Sequence, residues 1–321
     1  MTRPIRTIAL SAPVAVALVL GLAGSALAGF NAPTPVITEP HNQDLASAND
    51  TYIVFSSDAR RAGHYDVIAR PLAGGDDIRL DAKGVDGWAG NIRLGTNVEV
   101  FQQVDGGESD LYTYDIGGTG RHALGNLNTK WWEWSPRISV GGNILFTRLQ
   151  RRHGRWYDVI MLWNETAGRL KKLASYRRTS RSWAATTSVT DTDATWSRAT
   201  DNGKSSKVFV YDIDSATTAS IPTVNDRPQY TGAFDAINDN IYFVRSRRSC
   251  GANVDIYRVP VSDLSATPLK IADLPAGIDM GSEMFLAPGA PLEQDLLFTE
   301  WDCDANAGDI WSIANVDDTT P

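Results

Sequence analysis

The feature that most constrains the fold is a repeat that runs through residues 53–313. Each unit has a short apolar stretch with an aromatic residue, and a second short stretch begins nine to twelve residues after that aromatic residue. The stretches are brief, rich in β-branched and aromatic residues and separated by turn residues, which favours strands over helices. The second stretches open at Asp66, Asp110, Asp158, Lys207, Asp255 and Asp309.

The spacing between these openings, 44 to 54 residues, is typical of one four-stranded blade of a β-propeller. In five units an aromatic residue twelve or thirteen positions before the strand aromatic marks an inner strand: Trp88, Trp134, Trp183, Tyr230 and Phe285. Outer strands are predicted to end at Leu80, Leu124, Leu173, Ile221 and Ile271. The sequence therefore predicts an all-β fold, a six-bladed β-propeller of four-stranded antiparallel blades.

The sixth unit lacks an outer strand, because only a few polar residues follow Ile313. A spare strand, Pro35-Val36-Ile37-Thr38, precedes the first unit. Closing a propeller removes exposed strand edges and their unpaired backbone groups. We therefore predict that this N-terminal strand completes the sixth blade and closes the ring.

The third unit carries a more specific pattern. It runs from Trp134-Ser135-Pro136 through Asn143-Ile144-Leu145-Phe146-Thr147 to Tyr157-Asp158-Val159-Ile160. This unit resembles the blade repeat of TolB-like six-bladed β-propellers, and the spacing of the resemblance covers essentially the whole chain after the leader. Arg137 stands where the turn of that family usually has an acidic residue. The resemblance implies the propeller fold and a binding role.

The N-terminus reads as a secretory signal peptide over residues 1–28. Arg3 and Arg6 precede an apolar run that ends in Ala26-Leu27-Ala28, the pattern of a cleaved leader. The alternative is an uncleaved membrane anchor, which the Ala, Gly and Pro content of the run disfavours. We expect cleavage near Ala28, a single domain over residues 29–321, no stable membrane anchor, and a secreted protein, extracellular or periplasmic.

Charge and cysteine content narrow the function classes. The formal net charge is −8, which disfavours general nucleic-acid binding because that affinity depends on neutralising phosphates. Cys250 and Cys303 are the two cysteines, and an oxidising compartment favours a disulfide between them over two free thiols. Their places in the repeat put them in the hairpin tips of the fifth and sixth blades.

Motifs for catalysis are mostly absent, so we predict no catalytic residues, no metal and no cofactor. The four histidines share no ligand spacing, and zinc usually needs three or four ligands. The acidic stretch that begins at Asp302 has the oxygen spacing of a calcium loop, but Ala307 stands where that loop needs glycine. The stretch is therefore interpreted as a hairpin tip.

The distribution of positive charge is the main functional clue. In a propeller, the second-to-third-strand hairpins and the connections between blades share one face. An arginine-rich sector is predicted there, and arginine suits bidentate capture of carboxylate or phosphate. Solvated loop charge is the alternative. The candidate ligand-binding residues are Arg61, Arg151, Arg152, Arg155, Arg178, Arg247 and Arg248, with Trp131 and Trp132 as a stacking platform.

The predicted function is a non-catalytic binding or scaffold module, expected to be monomeric. Its partner would be an anionic envelope polysaccharide or another protein, bound through the arginine-rich face. The alternative is a lyase or glycosidase acting on acidic polysaccharide, with His64 and His153 among its site residues. A purely structural envelope protein is a third possibility, in which ion pairs would neutralise the arginines.

Overall fold

The computed structural model describes residues 33–223, 228–235, 239–245, 254–274, 278–287, 295–302 and 307–313. Across these ranges the regular elements are all β-strands, and they form six four-stranded sheets. Neighbouring strands within each sheet are antiparallel. The predicted fold class, a six-bladed β-propeller, is confirmed.

Blades one to three each follow the chain from the inner to the outer strand. Blade one comprises β2 Gln43–Ala48, β3 Tyr52–Arg61, β4 His64–Pro71 and β5 Ile78–Arg79. Blade two comprises β6 Asp86–Ile92, β7 Val98–Asp105, β8 Glu108–Asp115 and β9 Gly120–Ala123. Blade three comprises β10 Trp132–Ile138, β11 Ile144–Arg152, β12 Arg155–Asn164 and β13 Arg169–Arg177.

Blades four and five repeat this order, whereas blade six takes its outer strand from the start of the described chain. Blade four comprises β14 Trp183–Val189, β15 Asp193–Thr200, β16 Ser205–Asp212 and β17 Thr217–Ser220. Blade five comprises β18 Gln229–Asp235, β19 Asn240–Arg245, β20 Asp255–Pro260 and β21 Leu269–Asp273. Blade six comprises β22 Ile278–Ala287, β23 Asp295–Asp302, β24 Ala307–Ile313 and β1 Thr34–Ile37.

Ring closure by β1 follows the prediction. Strand β1 pairs antiparallel with β24, with Thr34 opposite Ser312 and Ile37 opposite Ile310. Ile37 is 3% exposed and packs with Ile310 and Leu297 in one apolar cluster. Main-chain pairing and side-chain burial therefore both join the two ends of the described chain.

The core lies between blades. The aromatic residues that reveal the repeat are buried at the centre of each blade's second strand: Phe55, Phe101, Phe146, Trp196, Phe243 and Phe298. Apolar clusters join neighbouring blades; Val54 of blade one, for example, packs in one cluster with Phe101 of blade two. Burial of these aromatic side chains and of the aliphatic side chains around them is the main favourable contribution to folding.

The two faces of the ring are distinct. The tip face carries the β-hairpins that join second to third strands, together with the connections between blades. The turn face carries the other turns. Blade three departs from its neighbours on the tip face, because β13 runs past the predicted end at Leu173 to Arg177 and pairs with β12 as far as Tyr157. This extension brings the connection to blade four beside the β11–β12 hairpin.

Candidate functional site

The described candidate residues all belong to the tip face, but only some of them lie together. Arg61 lies in the hairpin of blade one, and Arg151, Arg152 and Arg155 lie in the hairpin of blade three. Arg178 follows β13 on the connection to blade four. Arg247, Arg248, Cys250 and Cys303 lie outside the described residues. The binding role of the two arginines and the disulfide between the two cysteines therefore stay predictions.

A cluster of tryptophans and arginines on blade three is the best-defined site on this face. Trp131 and Trp156 meet edge to face, with ring centroids 6.4 Å apart and planes at 87°. The Arg151 guanidinium lies 5.9 Å from the Trp156 ring centroid. Edge-to-face rings and guanidinium–ring contacts are both favourable through the ring quadrupole. We call Trp131, Arg151, Trp156, Arg178 and Trp183 the Trp–Arg surface.

Arg178 is the most firmly held cation of the Trp–Arg surface. Its Nη1 donates to Asp158 Oδ1 at 2.9 Å, and its guanidinium lies 5.4 Å from the Trp134 ring centroid. Its backbone N–H donates to the Trp156 carbonyl at 2.8 Å. Burial raises the pKa of Asp158, while the hydrogen bond and charge of Arg178 oppose that rise.

A groove runs between the blade-three hairpin and the connection to blade four. It has a volume of about 490 Å³, within the size range of ligand pockets. Two aromatic rings and one guanidinium border it alongside two hydroxyl groups. Its lining residues are Leu149, Trp156, Arg178, Thr179, Ser180 and Trp183. Trp156 is 44% exposed, so a large part of its ring is open to solvent.

Trp132 lies apart from this groove. Its indole Nε1 donates to the Gly107 carbonyl of the blade-two hairpin at 2.6 Å. Trp131 precedes β10, which begins at Trp132, and the two side chains make different contacts, so they do not form one platform. Trp131 stays in the candidate site, and Trp132 contacts the neighbouring blade.

Sequence reasoning missed two of the aromatic residues at the groove. Trp156 directly follows Arg155 in the predicted hairpin, so its proximity to the arginines was a usable signal. Trp183 was interpreted only as an inner-strand marker, and the structure places it on the wall of the groove. Its exposure depends on the course of the preceding connection, which the repeat does not specify.

Charge on the tip face is divided between blades. The blade-two hairpin places Asp105 opposite Glu108, and burial together with Glu108 raises the pKa of Asp110. In blade six, burial and then Asp309 and Asp302 raise the pKa of Glu300 to about 7. The blade-three hairpin instead places Arg152 opposite Arg155. The electrostatic potential at the blade-three hairpin is therefore more positive than at the hairpins of blades two and six.

The histidines relevant to the enzyme alternative lie at the tip face. His64 Nδ1 lies 2.9 Å from Asp86 Oδ1, with both side chains partly exposed. His153 occupies the blade-three hairpin with a φ of 48°, the left-handed conformation of a tight turn. Within the described residues, no group of three or more His, Cys, Asp or Glu side chains has the arrangement of a metal site.

Two charged residues are buried near the centre of the ring. Glu99 is 0% exposed, and its Oε1 accepts the Gly90 N–H at 3.0 Å. Arg137 is 4% exposed and donates through Nε to the Thr187 carbonyl at 2.9 Å. Burial lowers the pKa of Arg137 to about 10, against the opposing charges of Glu99 and Asp44. Arg137 therefore stays charged at neutral pH.

A second concavity opens on the turn face, with a volume of about 380 Å³. Arg137 lies at its wall, and carboxylates and apolar side chains line the remainder. Asp191 is already engaged, because its Oδ1 accepts from the Ser139 hydroxyl at 2.5 Å and from the Gly141 N–H at 2.7 Å. The other carboxylates of the lining are Asp193, Asp235 and Asp239.

The fold has clear counterparts among solved structures. TolB from Acinetobacter baumannii superposes with a TM-score of 0.54 and 12% identity, covering 83% of this chain and 63% of that chain. The chain thus spans less than two thirds of that protein. A putative TolB from Agrobacterium tumefaciens gives a TM-score of 0.56 and 12% identity, over 85% of this chain and 91% of that one. The chain has the fold of a TolB-like β-propeller.

A solved lyase structure also shares this fold. An oligogalacturonate lyase in complex with manganese superposes with a TM-score of 0.52 and 9% identity, covering 87% of this chain and 85% of that chain. Identities this low show a shared fold alone. No protein-family model matches the sequence, and no curated protein matches it. Within the described ranges, no helix is long and apolar enough to cross a membrane.

Proposed function

We propose that this protein is a non-catalytic binding module that holds an anionic cell-envelope polysaccharide on its Trp–Arg surface. The observation that carries the proposal is a single groove lined by the side chains of Trp156, Trp183 and Arg178. Propellers commonly serve as rigid platforms, so a site on this face needs no moving part.

The chemistry of the groove favours a sugar polymer. The flat apolar face of a sugar ring packs against an indole ring, and Trp156 offers such a surface with 44% of its side chain open. The hydroxyls of Thr179 and Ser180 border the same groove. They are available to donate or accept hydrogen bonds with sugar hydroxyls.

The charge of the groove favours an anionic polymer. The neighbouring hairpin carries Arg151, Arg152 and Arg155, and Arg152 makes its one described hydrogen bond to the neutral Gln150 side chain. These cations raise the local concentration of a polyanion, although the formal net charge of the chain is −8. The signal-peptide pattern of residues 1–28 supports this choice of ligand, because export would bring the protein to the compartment where envelope polysaccharides occur.

Trp156→Ala tests this proposal. Binding of the mature protein to an immobilised, purified acidic capsular polysaccharide is measured at about 20 mM and about 500 mM salt. The variant is expected to lose about tenfold in affinity, equivalent to about 1.4 kcal/mol, because the stacking surface is gone. Binding by the wild type is expected to fall steeply at the higher salt concentration.

Trp163→Ala is the matched control, because Trp163 lies on the same strand, β12, near its other end on the turn face. The control is expected to bind as the wild type does. Equal affinities for wild type and Trp156→Ala, or no wild-type binding at low salt, would overturn the proposed function.

A further inference from the structure

Arg178 differs from the other cations of the Trp–Arg surface in how it is held. Asp158 binds its Nη1 on one side, and the Trp134 ring lies against its guanidinium plane. Within the described residues, its Nε and Nη2 make no hydrogen bond. Because the side chain is 37% exposed and lines the groove, this donor edge is accessible to a ligand.

Asp158 is itself fixed, which makes the orientation of Arg178 rigid. The Asp158 side chain is 0% exposed, and its Oδ2 accepts the Ala184 N–H of blade four at 2.9 Å. Both carboxylate oxygens are therefore engaged, one by the next blade and one by Arg178. A guanidinium held in this way presents its free N–H groups in one direction, with little side-chain entropy left to lose on binding.

The hairpin arginines lack this support. Arg151 lies against Trp156 without a carboxylate partner in the described structure, and Arg152 bonds to Gln150 two residues away. Long side chains on an exposed hairpin supply positive potential but no fixed geometry. Arg178 alone among these described cations combines a fixed carboxylate partner with a place on the groove wall.

Arg178 is also tied to the aromatic ring that would hold the sugar. Its N–H donates to the Trp156 carbonyl at 2.8 Å, and both side chains line the same groove. A sugar ring on Trp156 therefore brings its own substituents to the guanidinium. An acidic group between two sugars would be less well placed than one carried on the stacked ring.

We propose that Arg178 binds the carboxylate of the sugar that stacks on Trp156. The site would therefore bind uronic-acid polysaccharides in preference to other polymers. This inference rests on the proposed function. A planar carboxylate matches the two parallel N–H groups of a guanidinium edge, and this bidentate pairing is stronger and more directional than a contact with lysine.

Arg178→Lys tests the inference, because lysine keeps the positive charge but lacks the two parallel N–H donors of the guanidinium. Binding is measured by titration calorimetry against polygalacturonate, its methyl ester, and a poly(glycerol phosphate) teichoic acid. The variant is expected to lose about tenfold in affinity for polygalacturonate. Its affinities for the ester and the teichoic acid should equal those of the wild type, and its salt dependence should be unchanged.

Arg169→Lys is the matched control, because Arg169 is exposed at the turn-face end of β13, away from the groove. It is expected to bind all three polymers as the wild type does. Equal polygalacturonate affinity for Arg178→Lys and wild type, or an equal loss on all three polymers, would overturn the inference. If Trp156→Ala still lost about tenfold in affinity, the proposed function would stand without the inference about Arg178. A wild type that binds none of the polymers would overturn both.

Thermal unfolding checks the fold of each variant. If Arg178→Lys has a lower melting temperature than the wild type, Arg178→Gln replaces it. A glutamine amide can still donate to Asp158, but it carries no charge and lacks the paired N–H donors of a guanidinium. It is expected to lose affinity for polygalacturonate and to bind the methyl ester normally. Unchanged polygalacturonate binding by a folded Arg178→Gln protein would contradict the assignment.

Discussion

At the scale of single residues, Glu99 is held in an environment that disfavours its charge. Burial raises its pKa well above the ordinary value of 4.5, and the Gly90 N–H and the Arg137 charge only partly oppose the rise. Its second carboxylate oxygen, Oε2, has no hydrogen-bond partner within the described residues. An ionised carboxylate buried with an unsatisfied oxygen reduces stability.

Glu99→Gln is expected to remove a pH-dependent loss of stability. Because the folded state binds the Glu99 proton more tightly than the unfolded chain, the free energy of unfolding falls as pH rises above 4.5. Glutamine has no proton to lose. The stability of the variant relative to wild type should therefore increase between about pH 5 and about pH 8, measured by urea unfolding.

Thr218, exposed on β17, supplies the control for this measurement. Thr218→Ala changes no titratable group, so its stability difference from wild type should stay constant over the same pH range. A Glu99→Gln difference that stayed constant with pH would show that Glu99 does not titrate abnormally.

At the scale of elements, the inner strands share a device that the repeat did not reveal. All six contain a register shift where they pair with the second strand. A bulge frees a backbone N–H from its ladder, and in four described cases the side chain of the residue after the preceding blade's buried aromatic accepts it. The described acceptors and donors are Ser56 with Ala89, Gln102 with Ser135, Thr147 with Thr186, and Thr299 with Leu45.

Thr147→Val tests the contribution of these bonds between blades. Valine has nearly the shape of threonine but cannot accept the Thr186 N–H, which lies 3.1 Å from Thr147 Oγ1. Leaving a buried N–H without a partner should cost about 1–3 kcal/mol of unfolding free energy. Thr218→Val, at an exposed position of β17, is the control and should unfold within about 0.5 kcal/mol of wild type.

Urea unfolding of the two threonine variants gives a direct comparison. Equal midpoints would mean that water or another group satisfies the Thr186 N–H. In that case the hydrogen bonds between blades would fix how neighbouring blades align without adding to the free energy of unfolding.

At the scale of the whole molecule, stability depends on joining the first and last strands. Strand β1 covers the edge of β24, and Ile37 fills the cluster that contains Ile310. Without β1, the ring keeps five complete blades and one with a free edge. Free edges leave backbone groups unpaired and promote association between chains.

Deleting residues 33–37 is expected to lower the melting temperature by about 10 °C or more. The estimate follows from losing at least one buried aliphatic side chain and a strand pairing, since each kcal/mol corresponds to about 2–4 °C in a domain of this size. Differential scanning calorimetry measures the shift. Thr34→Ala, at an exposed position of the same strand, should melt near the wild type, and an unchanged melt for the deletion would refute closure by β1.

The distribution of charge is also a property of the whole molecule. The acidic hairpins of blades two and six and the basic hairpin of blade three are separate segments of sequence, and the ring places them around one face. An acidic protein can therefore present a local basic surface. Net charge alone would have suggested repulsion of polyanions.

The number of blades, the order of the strands and the identity of the closing strand can all be inferred from the sequence alone. These depend on local rules: the period of the repeat, the buried aromatic in each second strand such as Phe146, and the need to cover the edge of β24. Short stretches carry this information, because one blade is one local unit repeated along the chain.

Which of the candidate side chains meet depends on the tertiary structure. The length of β13 brings Arg178 to Trp156 and Trp183, while the Trp132 side chain contacts the blade-two hairpin. Arg137, a cation like those on the surface, is buried near the ring centre instead. These outcomes depend on side-chain direction and on contacts between distant segments, and a repeating pattern of residue types specifies neither.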